Sequence, residues 1–152
     1  MMAETSFEDA WFSNNKSGYL DDVKQLIQSK EVQIDLADHL GNTALHYASN
    51  AGHTQVVEAL VNAGANINIK NKHGDTPLHK AAGRNRLETV KFLVKAKADV
   101  EIENVDKERP CDITNNQDIK NELLPVVEYE DDDDEDDVKE DSDYDSEDEG
   151  DN

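Results

Sequence analysis

Gly41-Asn42-Thr43-Ala44-Leu45-His46-Tyr47-Ala48 returns 33 residues later as Gly74-Asp75-Thr76-Pro77-Leu78-His79-Lys80-Ala81. The correspondence runs past the octapeptide. Val57 matches Val90, Leu60 matches Leu93, and Asn71 matches Asn104; aligning 41–73 with 74–106 gives 12 identities in 33 positions without a gap. Self-similarity at this period is the mark of a stacked solenoid, in which each unit covers the apolar face of the next.

The residues within one period specify a pair of helices. Thr43 and Thr76 stand where a hydroxyl accepts a hydrogen bond from a free N–H of a first helical turn. Pro77 follows at the first helical position, where its missing N–H costs nothing. Leu45, Ala48, Leu78, Ala81 and Ala82 form a narrow apolar stripe that another helix can approach closely. A second helix is predicted from Val56, Val57, Leu60 and Val61, and again from Leu87, Val90, Leu93 and Val94, with Gly64 ending the first of them. Neither pair buries its apolar face alone, so the copies must stack.

The motif Thr76-Pro77-Leu78-His79-Lys80-Ala81, its near-copy Thr43–Ala48, Ala51-Gly52-His53 and the run Asn62–Asn66 resemble the ankyrin repeat. The resemblance implies an all-α ankyrin-repeat solenoid of helix–turn–helix units with projecting hairpin loops and a concave face for protein partners. It also implies that His46 and His79 brace loop backbone. It names no partner.

About four repeats are expected in an ankyrin-repeat domain spanning 1–127: an N-terminal cap over 7–37, full copies at 38–70 and 71–103, and a truncated C-terminal cap over 104–127. In the first, Leu20, Val23, Leu26 and Ile27 repeat the outer stripe at an offset of 34, and Gly18 matches the turn before it. Asn14 stands where the family has alanine, and Trp11 with Phe12 supplies bulk to close the open end of the core. In the last, Lys107 replaces the loop glycine, Arg109 the threonine, Cys111 the leucine and Asp112 the histidine. Its second helix is read from Asp118 to Leu124, capped by Asn115 or Asn116 and stopped by Pro125.

Charge is distributed unevenly. The chain of 152 residues carries a formal charge of −21, and residues 128–152 alone hold 17 acidic residues against one lysine. That segment has no core-forming content and is expected to be a disordered acidic tail. A lone cysteine excludes an intrachain disulfide, and the acidic start lacks the apolar core of a secretory signal. A cytoplasmic and nuclear location is the expectation, with no membrane span.

Enzymatic chemistry finds no support in the motifs. His46 and His79 recur at the repeat period, which fits a scaffold rather than a unique site, and His39 and His73 fall at hairpin tips. Cys111 reads as a small buried hydrophobe. No phosphate-cradling loop or nucleophile elbow occurs. The Asp141, Asp143, Asp145 alternation fails as a calcium loop because Ser146 and Asn152 occupy the positions that need glycine and glutamate. The expectation is a non-enzyme with no cofactor and no metal.

What remains is a binding surface. By match to the family's variable positions, His39, Leu40, Asn42, Tyr47, Asn50 and Ala51 in one copy and Lys72, His73, Asp75, Lys80, Gly83 and Arg84 in the next are the candidate partner-binding residues. Between Lys70 and Lys97 there are eight basic residues against Asp75 and Glu88, a positive patch in a negative chain. Direct nucleic-acid binding is disfavoured, because so acidic a molecule is repelled from phosphates. Ser142 and Ser146, with acids three residues downstream, are candidate phosphorylation sites resembling those of an acidophilic kinase. The layout is similar to small fungal ankyrin-repeat proteins with acidic tails, including escorts of a ribosomal protein. A monomeric escort or chaperone for a basic client, a ribosomal protein or histone, is therefore expected. The alternative is a regulatory adaptor or inhibitor subunit docking on an enzyme or transcription factor and tuned by phosphorylation of the tail.

Overall fold

A computed structural model describes residues 6–124. It contains helices α1 (Phe7–Ser17), α2 (Leu20–Ser29), α3 (Ala44–Ala51), α4 (Thr54–Asn62), α5 (Pro77–Gly83) and α6 (Leu87–Lys95), a 3-10 turn (Pro110–Asp112) and α7 (Gln117–Leu123). The segments after Gly41 and Gly74 are helices, and among the described residues the only β pairing is an isolated bridge between Ala37 and Thr43. The fold is all-α.

Two layers follow from the contacts. Helices α1, α3 and α5 and the 3-10 turn pack in succession as the inner layer, and α2, α4, α6 and α7 pack in succession as the outer one. The inner contacts are close because Ala44, Ala48, Ala81 and Ala82 are fully buried and add little thickness between helix axes. Trp11, Leu45 and Leu78 from the inner layer meet Val23, Val57, Leu60, Val90, Leu93, Ile119 and Leu123 from the outer one in a single core.

The inner helices start as the residues require. The hydroxyls of Thr43 and Thr76 accept from the N–H groups of His46 and His79 in the first turn. At the other end of α4, Ala63 is the C-cap and Gly64 follows in the left-handed region, one residue later than the sequence suggests.

Both ends are atypical. Trp11 is 1% exposed and seals the N-terminal end of the core, so it offers nothing to a partner. Asn14 is only half-buried; the fully buried residue is its neighbour Asn15, the counterpart of Ser49 and Ala82, whose side-chain amide donates to the Trp11 carbonyl at 2.7 Å. At the C-terminal end the degraded motif forms only a 3-10 turn, and Asn116, not Asn115, caps α7 by accepting from the Asp118 and Ile119 N–H groups. Pro125 lies outside the described residues.

The hairpins expose a strained position. Gly41, Gly74 and Lys107 occupy one place in successive hairpins, with φ of 80°, 83° and 65°. The left-handed region is unstrained for glycine and unfavourable for lysine. Lys107→Gly is expected to stabilise the fold by about 0.5–1 kcal/mol, read as a higher midpoint in chemical denaturation.

Candidate protein-binding groove

Each hairpin is built around one side-chain acceptor. The Asp38 carboxylate accepts from the N–H groups of Leu40 and Asn42, each at 3.0 Å. Asn71 does the same for His73 and Asp75 at 2.9 Å each, and Asn104 for Asp106 at 2.9 Å and Glu108 at 3.0 Å. The recurrence of Asp38, Asn71 and Asn104 at the repeat period shows that the turn is a property of the unit.

Successive hairpins are then joined edge to edge. The Lys72 N–H donates to the Leu40 carbonyl at 3.1 Å, and the Val105 N–H to the His73 carbonyl at 2.9 Å. Beneath them the Asn71 amide donates to the Asn42 side-chain oxygen at 2.8 Å, and the Asn104 amide to an Asp75 carboxylate oxygen at 2.9 Å.

The histidines complete the brace. The Thr43 N–H donates to His46 Nδ1 at 3.0 Å, which leaves the ring proton on Nε2 to donate to the Asp75 carbonyl at 2.8 Å. His79 links Thr76 to the Glu108 carbonyl in the same way, at 3.0 and 2.8 Å. One ring thus ties a helix start to the next hairpin.

Burial pushes the His46 pKa below its ordinary 6.5, and the nearby Lys80 charge adds to this, against the Asp75 contacts that raise it. With the folded value depressed, the unfolded chain binds the extra proton first as pH falls. The contribution of neutral His46 is therefore complete above about pH 6.5 and declines as pH drops toward the lower folded value. A denaturation midpoint that falls between about pH 7.5 and 5 is expected, and His46→Gln is expected to flatten that dependence.

On this frame lies a groove of about 440 Å³ lined by Leu40, Asn42, Asn71, Lys72, His73, Asp75 and Lys80. Leu40, 52% exposed, is its apolar element. Lys80 stands 3.9 Å from the Asp75 carboxylate, and His73 pairs with Asp106 at 3.0 Å across to the following hairpin. Lys72 enters none of the ion pairs among the described residues. The groove can take an extended segment that offers an apolar side chain to Leu40 and polar groups to both charge signs.

The other candidates fall elsewhere. Asn42 lines the groove but is 7% exposed, its side chain spent on Asn71. His39 belongs to a separate depression of about 350 Å³ with Asp9, Phe12, Ser13, Lys16, Ser17 and Asp38. Tyr47 sits behind it, edge-on to Phe12 at 5.9 Å, beneath the Lys16 ammonium at 4.5 Å, its hydroxyl donating to Asp38. Burial raises the Asp38 pKa, but the bonds from Tyr47, Asn42 and Leu40 outweigh it and hold the carboxyl low; burial and Asp38 push the Tyr47 hydroxyl up. Asn50, Ala51, Gly83 and Arg84 lie at the far ends of α3 and α5, and the Asn50 carbonyl accepts from Arg86 at 3.0 Å.

Phe12, Lys16, Asp38 and Asn71 were not among the candidates read from sequence. The repeat period carried the signal for Asp38 and Asn71; for Phe12 the offset of 34 makes it only the counterpart of His46 in the next repeat, and its contact with Tyr47 is not marked in the sequence. Ser142 and Ser146 lie outside the described residues.

Among the described residues no group of three or more His, Cys, Asp or Glu is placed to hold a metal ion, and no helix is long and apolar enough to cross a membrane. Cys111 is buried, and burial with the adjacent Asp112 pushes its thiol up, the wrong direction for a nucleophile.

A stack of helix pairs with braced, exposed hairpins is a repeat scaffold for binding proteins. The family model for ankyrin repeats, in three copies, matches residues 12–104, and the chain belongs to the ankyrin-repeat family, whose members are in general non-enzymatic interaction modules. It is 41% identical over 55 residues to mouse 26S proteasome non-ATPase regulatory subunit 10, covering 36% of this chain and 24% of that one. It is 37% identical over 67 residues to zebrafish ankyrin repeat domain-containing protein 29, covering 44% and 22%. Over 50 residues it is 40% identical to alpha-latroinsectotoxin-Lt1a of Latrodectus tredecimguttatus, covering 33% and 4%. The chain thus spans about a quarter or less of the length of these relatives.

Proposed function

We propose that this chain is an escort for a basic client protein, a ribosomal protein or histone, held in two ways. The loop groove takes an apolar-containing segment of the client against Leu40, and the acidic segment 128–152 wraps its basic surface. The observation that carries the reading is the segregation of 17 acidic residues and one lysine into residues 128–152 of a chain whose repeats form a groove. A polyanion of this kind attracts basic protein and is repelled by nucleic acid, which keeps the client from premature contact with RNA or DNA. Location in cytoplasm and nucleus, and phosphorylation of Ser142 and Ser146 to deepen the negative charge, belong to the same proposal.

A second reading is favoured by one observation. The mouse relative is named as a regulatory subunit of the 26S proteasome, so an adaptor that docks on an enzyme assembly through the groove alone is the competing function.

Capture from lysate by the full chain separates the two. An escort loses its basic client when salt is raised from about 0.1 to 0.5 M, because charge attraction over the tail is screened, and when the acids of 131–137 are replaced by Asn and Gln. An adaptor keeps its partner through both treatments and loses it with Leu40→Asp. A partner that is retained at high salt and is not basic overturns the escort reading.

A further inference from the structure

We propose that the acidic segment 128–152 docks, when no client is present, on a basic strip of this same chain: Lys91 and Lys95 on α6 together with Lys97 just beyond it. The contact does not depend on which of the two functions above is correct.

The strip is the part of the positive patch that lies on α6 and just beyond it; Lys70, Lys72 and Arg84 are also exposed and outside the ion pairs among the described residues, but lie in the hairpin and at the end of α5. Arg86 is only half-exposed and donates to the Asn50 carbonyl at 3.0 Å, and Lys80 faces Asp75 at 3.9 Å. Lys91, Lys95 and Lys97 are exposed and enter none of the ion pairs among the described residues. Lys91 and Lys95 are four residues apart on α6, hence on one face of that helix. The acidic residues nearest to it are Glu88 and Asp99 in the sequence and Glu58, which corresponds to Lys91 at the repeat period on α4; none of the three enters the ion pairs among the described residues.

The described chain ends beside this strip. Helix α7 packs on α6 in the outer layer, and at the repeat period Val90 corresponds to Leu123, both buried, and Lys91 to Leu124. Packed helix axes lie about 8–10 Å apart, so Leu124 leaves the stack within a few residues' reach of Lys91 and Lys95. Glu128 is four residues further on, a span of at most about 14 Å. A run of carboxylates tethered so near a cationic strip has an effective concentration of order millimolar. Opposite charge and a short tether together favour the intramolecular contact over capture of a distant polyanion.

The consequence is competition. A basic client must displace the strip to gain the acidic segment, so weakly basic proteins are turned away and strongly basic ones are not.

Zero-length carbodiimide cross-linking of the full chain, mapped by mass spectrometry, tests the contact without any client. Cross-links between 128–152 and Lys91, Lys95 or Lys97 are expected within the monomer at low salt, and they are expected to vanish at about 0.5 M salt. Lys24 and Lys30, exposed at the opposite end of the stack, are the internal control. Equal yields at Lys24 and Lys30, or cross-links found only between chains, overturn the proposal. As a second measurement, the full-length variant Lys91→Gln/Lys95→Gln/Lys97→Gln, checked for unchanged circular dichroism, is expected to bind an oligolysine peptide several-fold more tightly than the parent chain. Unchanged oligolysine affinity also overturns it.

Discussion

His79→Ala is expected to lower the free energy of unfolding by about 2–4 kcal/mol, a large share of what a small domain possesses. The ring is 1% exposed and serves two elements at once. Its Nδ1 accepts the Thr76 N–H at the start of α5, and its Nε2 reaches the Glu108 carbonyl of the next hairpin, 29 residues away. Truncation leaves the buried Thr76 N–H without this acceptor and the Glu108 carbonyl without its donor, each costing about 1–3 kcal/mol if water does not replace the ring. It also leaves a cavity where the buried ring stood. The Glu108 end is half-exposed, so water recovers part of the loss there, which sets the estimate below the sum of the separate costs. Because the bond to Glu108 ties α5 to the following hairpin, that hairpin and the segment beyond it are expected to fray first. Hydrogen exchange at the Val105 amide, which pairs with the His73 carbonyl, should accelerate before the global transition. His79→Gln, which keeps a donor and an acceptor of smaller reach, is expected to lose less. A variant as stable as the parent would mean that the ring is a passenger in the fold, and the brace would have to be sought in the backbone pairing alone.

That brace was legible in the sequence because it repeats. Thr43 and Thr76, His46 and His79, and Asn71 and Asn104 each recur at 33 residues, and anything that recurs at the period of a solenoid contacts its own counterpart's neighbourhood. A side chain whose type changes from one copy to the next carries no such mark, even where its contact recurs. Asn42 and Asp75 look like outward loop residues beside a capping threonine. Only the placement of the next hairpin reveals that each accepts a bond from the asparagine 29 residues later. Arg86 counts as a free cation on paper, yet its side chain packs against Gly52 and reaches the Asn50 carbonyl. Tyr47 is a candidate partner-binding residue by its position in the repeat, and its packing against Phe12, Lys16 and Asp38 is visible only in three dimensions. At the N-terminal end Asn14 stands out because it aligns with Ala48, whereas the buried Asn15 aligns with the polar Ser49 and draws no notice. Charge shows the same limit: a count of lysines is visible in the chain, but which of them are already engaged is a three-dimensional fact.

Gly41→Ala is expected to cost about 2–4 kcal/mol and to spoil the groove, whereas Gly64→Ala, also at positive φ, is expected to cost about 1–2 kcal/mol and leave the groove intact. Both glycines sit in the left-handed region, at φ of 80° and 101°, so both substitutions carry the same kind of backbone penalty. They differ in what a methyl group meets. At Gly64 nothing lies within 4 Å, while at Gly41 a Cβ would stand 2.8 Å from the Lys72 nitrogen and 3.1 Å from the Asn71 Cα. Those atoms are backbone and cannot swing aside, so the two hairpins must part. Parting breaks the Lys72 N–H bond to the Leu40 carbonyl, weakens the Asn71 to Asn42 amide bond beneath it, and moves Leu40 away from Lys72 and His73. The stability difference between the two variants therefore measures how much of the groove is held by hairpin contact rather than by the helices below. Urea midpoints give that difference, and exchange of the Lys72 amide reports the site itself: it should quicken in Gly41→Ala and not in Gly64→Ala. If the two variants lose equal stability and the Lys72 amide stays protected in both, the hairpins are not a joined edge, and the groove cannot serve as a preformed surface for any partner.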